Sequence, residues 1–216
     1  GEILGLIGEN GAGKSTLMKI LSGVYQADQG SMFVSGKKVE YQTPKEALDD
    51  GICMIYQELN LVEKLSVADN IFIGRESGLH LILNRSEDKE KTKELLKKMD
   101  LDISPEKEVG DLTVAKQQMI EIAKGISCHS KVLIMDEPTA ALDPVAESNI
   151  YEMFGKISTG KPTIFITHRL GAARIADEII VIGDGKVEEK GSHESLIEKG
   201  GIYAQMFESQ RSWYQW

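Results

Sequence analysis

Eight consecutive residues, Gly8-Glu9-Asn10-Gly11-Ala12-Gly13-Lys14-Ser15, follow the pattern GxxxxGK[ST]. Glycines let a backbone wrap closely around an anion, so that successive N–H groups and the positive end of a following helix face phosphate oxygens. In that pattern Lys14 reaches the β- and γ-phosphates and the Ser15 hydroxyl ligates Mg²⁺. Such a loop needs a metal-side carboxylate at the end of a neighbouring strand. The segment KVLIMDEP supplies four apolar residues and then Asp136 and Glu137. Asp136 would hold Mg²⁺, and Glu137 would polarise an attacking water.

The elements that must position these residues show in the pattern around them. Short apolar runs bounded by Gly, Asp or Pro, at Ile3 to Ile7, Ile52 to Tyr56, Val132 to Met135, Thr163 to Thr167 and Glu178 to Ile182, predict strands buried on both faces. Between them Ser15 to Leu21, Ser86 to Leu101, Val114 to Ile126, Pro144 to Ile157 and Gly201 to Gln210 read as helices. Alternation of the two kinds predicts an α/β fold with a mostly parallel sheet. Two stretches depart from it. SMFVSGKKVEY, from Ser31 to Tyr41, alternates around a Ser-Gly turn and predicts a small antiparallel ribbon. From about residue 66 to 127 the pattern is helical without strands, which predicts a helical insertion. Charges of both signs interleave from Arg85 to Glu108, as on a solvated helix face.

The 216 residues, 41% hydrophobic and 27% charged, suit one domain spanning 1–216 with a sizeable core. Lys and Arg number 25 against 34 Asp and Glu, a net charge of -9 that offers nucleic acid no general attraction. Phosphate must therefore be captured locally. No run of 18 apolar residues and no basic, apolar leader is present, so a soluble, non-exported chain is expected. Cys53 and Cys128 lack metal-ligand spacing and read as small core thiols in a reducing cytosol.

With these motifs the chain resembles the nucleotide-binding domain of ATP-binding cassette (ABC) transporters over essentially its whole length. The resemblance implies a P-loop NTPase fold binding ATP and Mg²⁺, with Gly8 through Ser15 and the adjoining Thr16 around the nucleotide. It extends to Gln57 in MIYQELNLVEKLSVADNIFIG, which matches the Q-loop glutamine that contacts Mg²⁺ and the attacking water. Ala140-Ala141-Leu142-Asp143 matches the D-loop and puts Asp143 at a dimer interface, and His168 in TIFITHRL matches the switch histidine that contacts the γ-phosphate. The resemblance thus implies Glu137, His168 and Gln57 as catalytic, and Ser15, Gln57 and Asp136 as metal-side residues.

One motif departs from the family pattern. Where relatives carry LSGGQ, at a helix start that caps the γ-phosphate on the opposite subunit, this chain has Leu112-Thr113-Val114-Ala115-Lys116. Thr113 keeps a hydroxyl, Ala115 puts a methyl where a backbone must approach phosphate, and Lys116 replaces a neutral amide with a cation. The expectation is a composite site that closes but turns over slowly. The ends also resemble different branches. Up to about Glu137 the chain is similar to the first cassette of ribose-type sugar importers, and its C-terminal third to exporter cassettes. Ordinary family variation and a recombined or artificial chimera both account for this.

The resemblance implies an ATPase subunit that sandwiches nucleotide between two cassettes, a homodimer or heterodimer, and powers a transmembrane subunit from the cytoplasmic face of the membrane. An alternative is an ATP-dependent dimerisation module with little hydrolysis. A third, a soluble cassette acting on DNA or the ribosome, fits poorly with the short span from Gln57 to Leu112 and the acidic balance. Relatives carry further strands before the loop, with an aromatic that stacks on adenine. Their lack before Gly8 leads to expectations of a weakened base site, little discrimination between ATP and GTP, low stability, and unpaired edges on the 31–41 ribbon. The tail FESQRSWYQW is read as a last helix packing its aromatics on the domain.

Overall fold

Apolar runs closed by turn residues become strands because a sheet covered on both faces has no place for solvated side chains. The computed structural model describes residues 1–56, 58–75, 78–79, 82–128, 130–137, 150 and 161–211. In chain order the strands are β1 (Ile3–Gly8), β2 (Met32–Val34), β3 (Lys37–Val39), β4 (Ile52–Ile55), β5 (Gly78–Leu79), β6 (Ile82–Leu83), β7 (Val132–Asp136), β8 (Thr163–Ile166), β9 (Glu178–Gly183) and β10 (Lys186–Gly191). The first five helices are α1 (Lys14–Leu21), α2 (Pro44–Asp49), α3 (Val67–Phe72), α4 (Arg85–Lys98) and α5 (Val114–Ser127). Three further helices span Leu170–Ala173, His193–Lys199 and Ile202–Arg211.

The chain divides into two units, one of Gly1–Met54, Ser130–Glu137 and Gly155–Trp216, the other of Ile55–His129 and Pro138–Phe154. In the first, a six-stranded sheet runs in the order β10-β9-β1-β8-β7-β4. β1 lies parallel to β8 and β9, and β7 lies parallel to β8. Leu6, Ile134, Ile166 and Ile182 form its core with Met18 of α1 and Ala47 of α2. β10 is antiparallel to β9 across a two-residue turn in which Asp184 (φ 46°) and Gly185 (φ 73°) both take the left-handed conformation. Its sequence KVEEKG has no apolar run because it is an edge strand, so the periodicity that finds buried strands misses it. The ribbon forms as expected: β2 and β3 pair antiparallel with Val34 opposite Lys37, closed by Ser35 (φ 50°) and Gly36 (φ 76°).

In the second unit, α3, α4 and α5 bury Val67, Ala68 and Ile71, then Leu96, then Ile120, Ile122 and Ala123. Each helix starts at a side-chain cap: Ser66, Asn84 and Thr113 accept the N–H of Asp69, Glu87 and Lys116. Helix α4 stops at Lys98, three residues short of the expected end. Asp100 (φ 56°) turns left-handed there, and its N–H bonds to Lys97 O while that of Leu101 bonds to Leu96 O. This is the Schellman closure usually made by glycine, so the sequence carries no glycine to mark it. Most charges along α4 lie at the surface, Asp88 being buried, and they make surface pairs, Lys91 with Glu87 at 2.7 Å and Lys89 with Glu106 at 2.6 Å.

Two expectations need correction. The stretch 66–127 is not free of strands, since β5 and β6 pair antiparallel within it; each strand is two residues long, below the length at which a period can be read. Cys53 is buried, but Cys128 is only half-buried, because it sits beyond the last turn of α5 as its C-cap. Gln57, Asp143, the helix expected over Pro144 to Ile157 and both tryptophans lie wholly or mainly outside the described residues.

Candidate functional site

The carboxyl ends of β1, β8 and β7 come level because their registers align: Leu6 lies beside Ile166, and Ile166 beside Asp136. Ligands of parallel α/β sheets gather at this edge. Beyond β1 the chain turns at Gly8, where an added Cβ would stand 2.2 Å from the backbone oxygen of Ile182 on β9. Only glycine allows strands this close. The loop closes with Ala12 N–H donating to Glu9 O at 3.2 Å and is tied to the β9–β10 turn by Gly185 N–H donating to Ala12 O at 3.2 Å. Gly13, left-handed at φ 100°, is the N-cap of α1; it contributes no side chain to the helix start, and no acidic residue lies in the first turn. The first N–H groups of α1 therefore meet neither a side-chain cap nor a negative charge, the arrangement that suits an anion.

Lys14 is buried, and its ammonium donates to Gly8 O at 2.8 Å and Glu9 O at 2.9 Å. Asp136, also buried, accepts a hydrogen bond from Ser15. Burial pushes the Asp136 carboxyl up, with neighbouring Glu137 adding to the rise; the Ser15 bond, Lys14 and Lys19 oppose it. A buried carboxylate paired with a hydroxyl is the hard-oxygen donor set that Mg²⁺ accepts. Glu137 takes φ 45° and donates its N–H to Ile166 O at 3.1 Å. Its Oε2 stands 3.1 Å from Nδ1 of His168. A carboxylate only accepts, so a hydrogen bond across this gap would need the proton on Nδ1.

The structure thus brings together Gly8 to Ser15, Asp136, Glu137 and His168 in one unit. Thr16 lies on α1. Leu112 to Lys116 belong to the second unit, where Thr113 caps α5 by accepting the N–H of Lys116 at 3.4 Å. Among the described residues, no three His, Cys, Asp or Glu side chains gather into a metal cage. Sequence reading missed Gln210, 42 residues beyond His168, whose side-chain amide donates to the His168 carbonyl. No local pattern signals such a contact.

A family model described as ABC transporter matches residues 1–140. The chain belongs to the ABC transporter family. It is 48% identical over 189 residues to a putative ribose/galactose/methyl galactoside import ATP-binding protein of Pseudomonas syringae pv. syringae, covering 86% of this chain and 36% of that protein. It is 46% identical over 192 residues to ribose import ATP-binding protein RbsA 3 of Rubrobacter xylanophilus, covering 87% and 38%. The chain therefore spans little more than a third of the length of these curated relatives. Among solved structures, a bacterial Atm1-family ABC exporter with ATP bound matches with a TM-score of 0.80 at 25% identity, over 97% of this chain and 37% of that one. A dimeric ATP-binding cassette in a post-hydrolysis state with ADP and Pi matches with a TM-score of 0.75 at 25% identity, over 88% of this chain and 85% of that one. The fold of this ABC cassette is the P-loop NTPase fold, with a mostly parallel sheet, an antiparallel ribbon and a helical insertion. Both likenesses, to importer cassettes in sequence and to an exporter in structure, are present. Among the described residues no helix is long and apolar enough to cross a membrane.

Proposed function

We propose that this cassette binds and hydrolyses ATP as one half of a nucleotide-sandwiched dimer that powers a membrane partner at the cytoplasmic face. One observation carries the reading: the 8–15 loop, Asp136, Glu137 and His168 meet at the aligned carboxyl ends of three neighbouring strands. The loop N–H groups and the start of α1 would hold the β- and γ-phosphates, and Lys14 would turn its ammonium from the carbonyls of Gly8 and Glu9 to a phosphate oxygen. Ser15 and Asp136, with Gln57 as implied by the family resemblance, would hold Mg²⁺, which neutralises phosphate charge when bound. Glu137 would accept the proton of the attacking water. His168, 3.1 Å from Glu137, would hold that carboxylate and face the γ-phosphate. Positioning and charge stabilisation, rather than covalent chemistry, would supply the rate.

The names of the sequence relatives point to sugar import, and a pentose or hexose transporter is the partner this reading favours. The deciding experiment is phosphate release from Mg-ATP by the purified chain and by Glu137→Gln. Turnover in the parent and its loss in the variant, with an ATP-dependent dimer retained, support the proposal; equal turnover in both overturns the role of Glu137.

A second reading, a dimerisation module with little hydrolysis, draws on the segment Thr113 to Lys116. The Thr113 oxygen caps its own helix, Ala115 carries a methyl, and Lys116 adds a charge. Single-turnover phosphate release separates the two readings.

A further inference from the structure

His168 sits on a turn between β8 and the helix Leu170–Ala173, and the backbone of that turn is gripped from a distant part of the chain. The side-chain amide of Gln210 donates its Nε2–H to the carbonyl of His168, and its Oε1 accepts the N–H of Leu170 at 2.9 Å. One planar amide thus bonds the backbone on both sides of Arg169. The turn is closed from within by Thr167, whose Oγ1 accepts Arg169 N–H at 3.0 Å. Gln210 lies in the last turn of the helix Ile202–Arg211, and that helix is itself fixed at its start. Glu189 on β10 accepts the N–H of Tyr203 at 2.9 Å and that of Ile202, and is paired with Lys199 at 3.3 Å. Tyr203 is fully buried, with its hydroxyl 2.7 Å from His193 Nδ1 and its ring stacked with Phe207 at 6.2 Å.

A helix anchored so firmly at one end, and bonded by two polar atoms to the His168 turn at the other, sets where the imidazole stands relative to Glu137. We infer that Gln210 is a positioning residue for His168, and that the helix Ile202–Arg211 is the strut that holds it. The inference rests on the proposed ATPase reading for its catalytic consequence, whereas the clamp itself is independent of hydrolysis.

The test compares the parent chain with Gln210→Ala and Gln210→Glu. Nuclear magnetic resonance reads amide exchange at Leu170 and the ring signals of His168, assigned by their loss in His168→Gln. Gln210→Ala should speed Leu170 exchange and shift the His168 ring signals. Gln210→Glu still accepts from Leu170 but cannot donate to the His168 carbonyl, so it should keep Leu170 protected while shifting the ring. With Mg-ATP, both variants should lose about tenfold in kcat with KM little changed, because a displaced group costs rate rather than binding. Unaltered Leu170 exchange and ring signals in Gln210→Ala overturn the clamp. Altered signals with unchanged kcat overturn its role in positioning. A parent chain without hydrolysis counts against the ATPase reading and leaves the clamp to the two spectroscopic readouts.

Discussion

His168 Nδ1 and Glu137 Oε2 lie 3.1 Å apart, although 31 positions separate them in sequence, because β7 and β8 are adjacent parallel strands that end level. Glu137 is mostly shielded, with 15% of its side chain exposed against 48% for His168, so the carboxylate meets the imidazole at the rim of the site. Each should matter to turnover through the other. Glu137→Gln and His168→Ala are each expected to lower single-turnover phosphate release by about 10²-fold or more. The double variant should be scarcely slower than Glu137→Gln alone, since groups that act as a unit are not additive. Fully additive losses in a double-mutant cycle would show that the two act separately.

Two glycines of the phosphate loop should respond differently to alanine. At Gly8 the new methyl meets the Ile182 carbonyl at 2.2 Å, and backbone cannot step aside without parting β1 from β9. At Gly13 nothing lies within 4 Å of an added Cβ, so only the left-handed φ of 100° resists it. Gly8→Ala is expected to lose about 3 kcal/mol, the upper range for overpacking, and Gly13→Ala about 1 to 2 kcal/mol. Urea unfolding followed by circular dichroism gives both values; equal losses would mean that β9 yields at Ile182.

What was legible in the sequence follows from the kind of force involved. The strands on either side of the loop announce themselves because a doubly covered sheet demands unbroken apolar runs, as in Val132 to Met135. The phosphate loop is local, so residue types and spacing suffice to find it. The pairing of Ser15 with Asp136 is a strand-order effect, yet it could be anticipated because the motif's chemistry requires it. β10 and Gln210 were not legible for the opposite reason. A charged edge strand has no buried run, and the contact from Gln210 to the His168 turn depends on how a last helix is seated by Glu189 and Tyr203. No local period encodes that seating. The end of α4 was misplaced because Asp100 performs a closure for which sequence reading looks for glycine.

Glu121 should make stability depend on pH. It is buried in α5, and its Oε2 has no hydrogen-bond partner among the described residues; Oε1 is 4.0 Å from Lys124 Nζ. Burial pushes the carboxyl up, and Lys124 and the N–H of Asn60 only partly offset that. A raised folded pKa means the folded chain holds this proton more tightly than the unfolded one. Stability from this group is therefore complete below the unfolded value, about 4.3, and falls as pH rises through the raised folded value. Glu121→Gln keeps an acceptor for Asn60 without the charge. Its urea midpoint is expected to gain on the parent between pH 4 and pH 7, and a difference that stays constant over that range would show that Glu121 ionises without penalty.

The signature segment should govern how fast the cassette can run. Thr113 has two tasks in the sandwiched dimer proposed above: its Oγ1 accepts Lys116 N–H to start α5, and the same hydroxyl carries the proton that a facing phosphate would accept. Thr113→Ala should thus cost about 1 kcal/mol of stability as a lost cap, along with slower hydrolysis. In that dimer Ala115 and Lys116 would bear on the facing phosphate. Val114 is exposed at the helix start, and Ala115 and Lys116 follow it in the first turn of α5, which has no acidic residue. Replacing Ala115 by Gly removes the methyl from the approach to phosphate, and Lys116→Gln restores a neutral amide. The pair together is expected to raise steady-state ATP hydrolysis severalfold, with a small loss of helix stability of about 1 kcal/mol from the glycine. If the rate stayed at the parental value while Thr113→Ala reduced it, the methyl and the cation would be compatible with a working signature, and the slow step would lie elsewhere in the cycle.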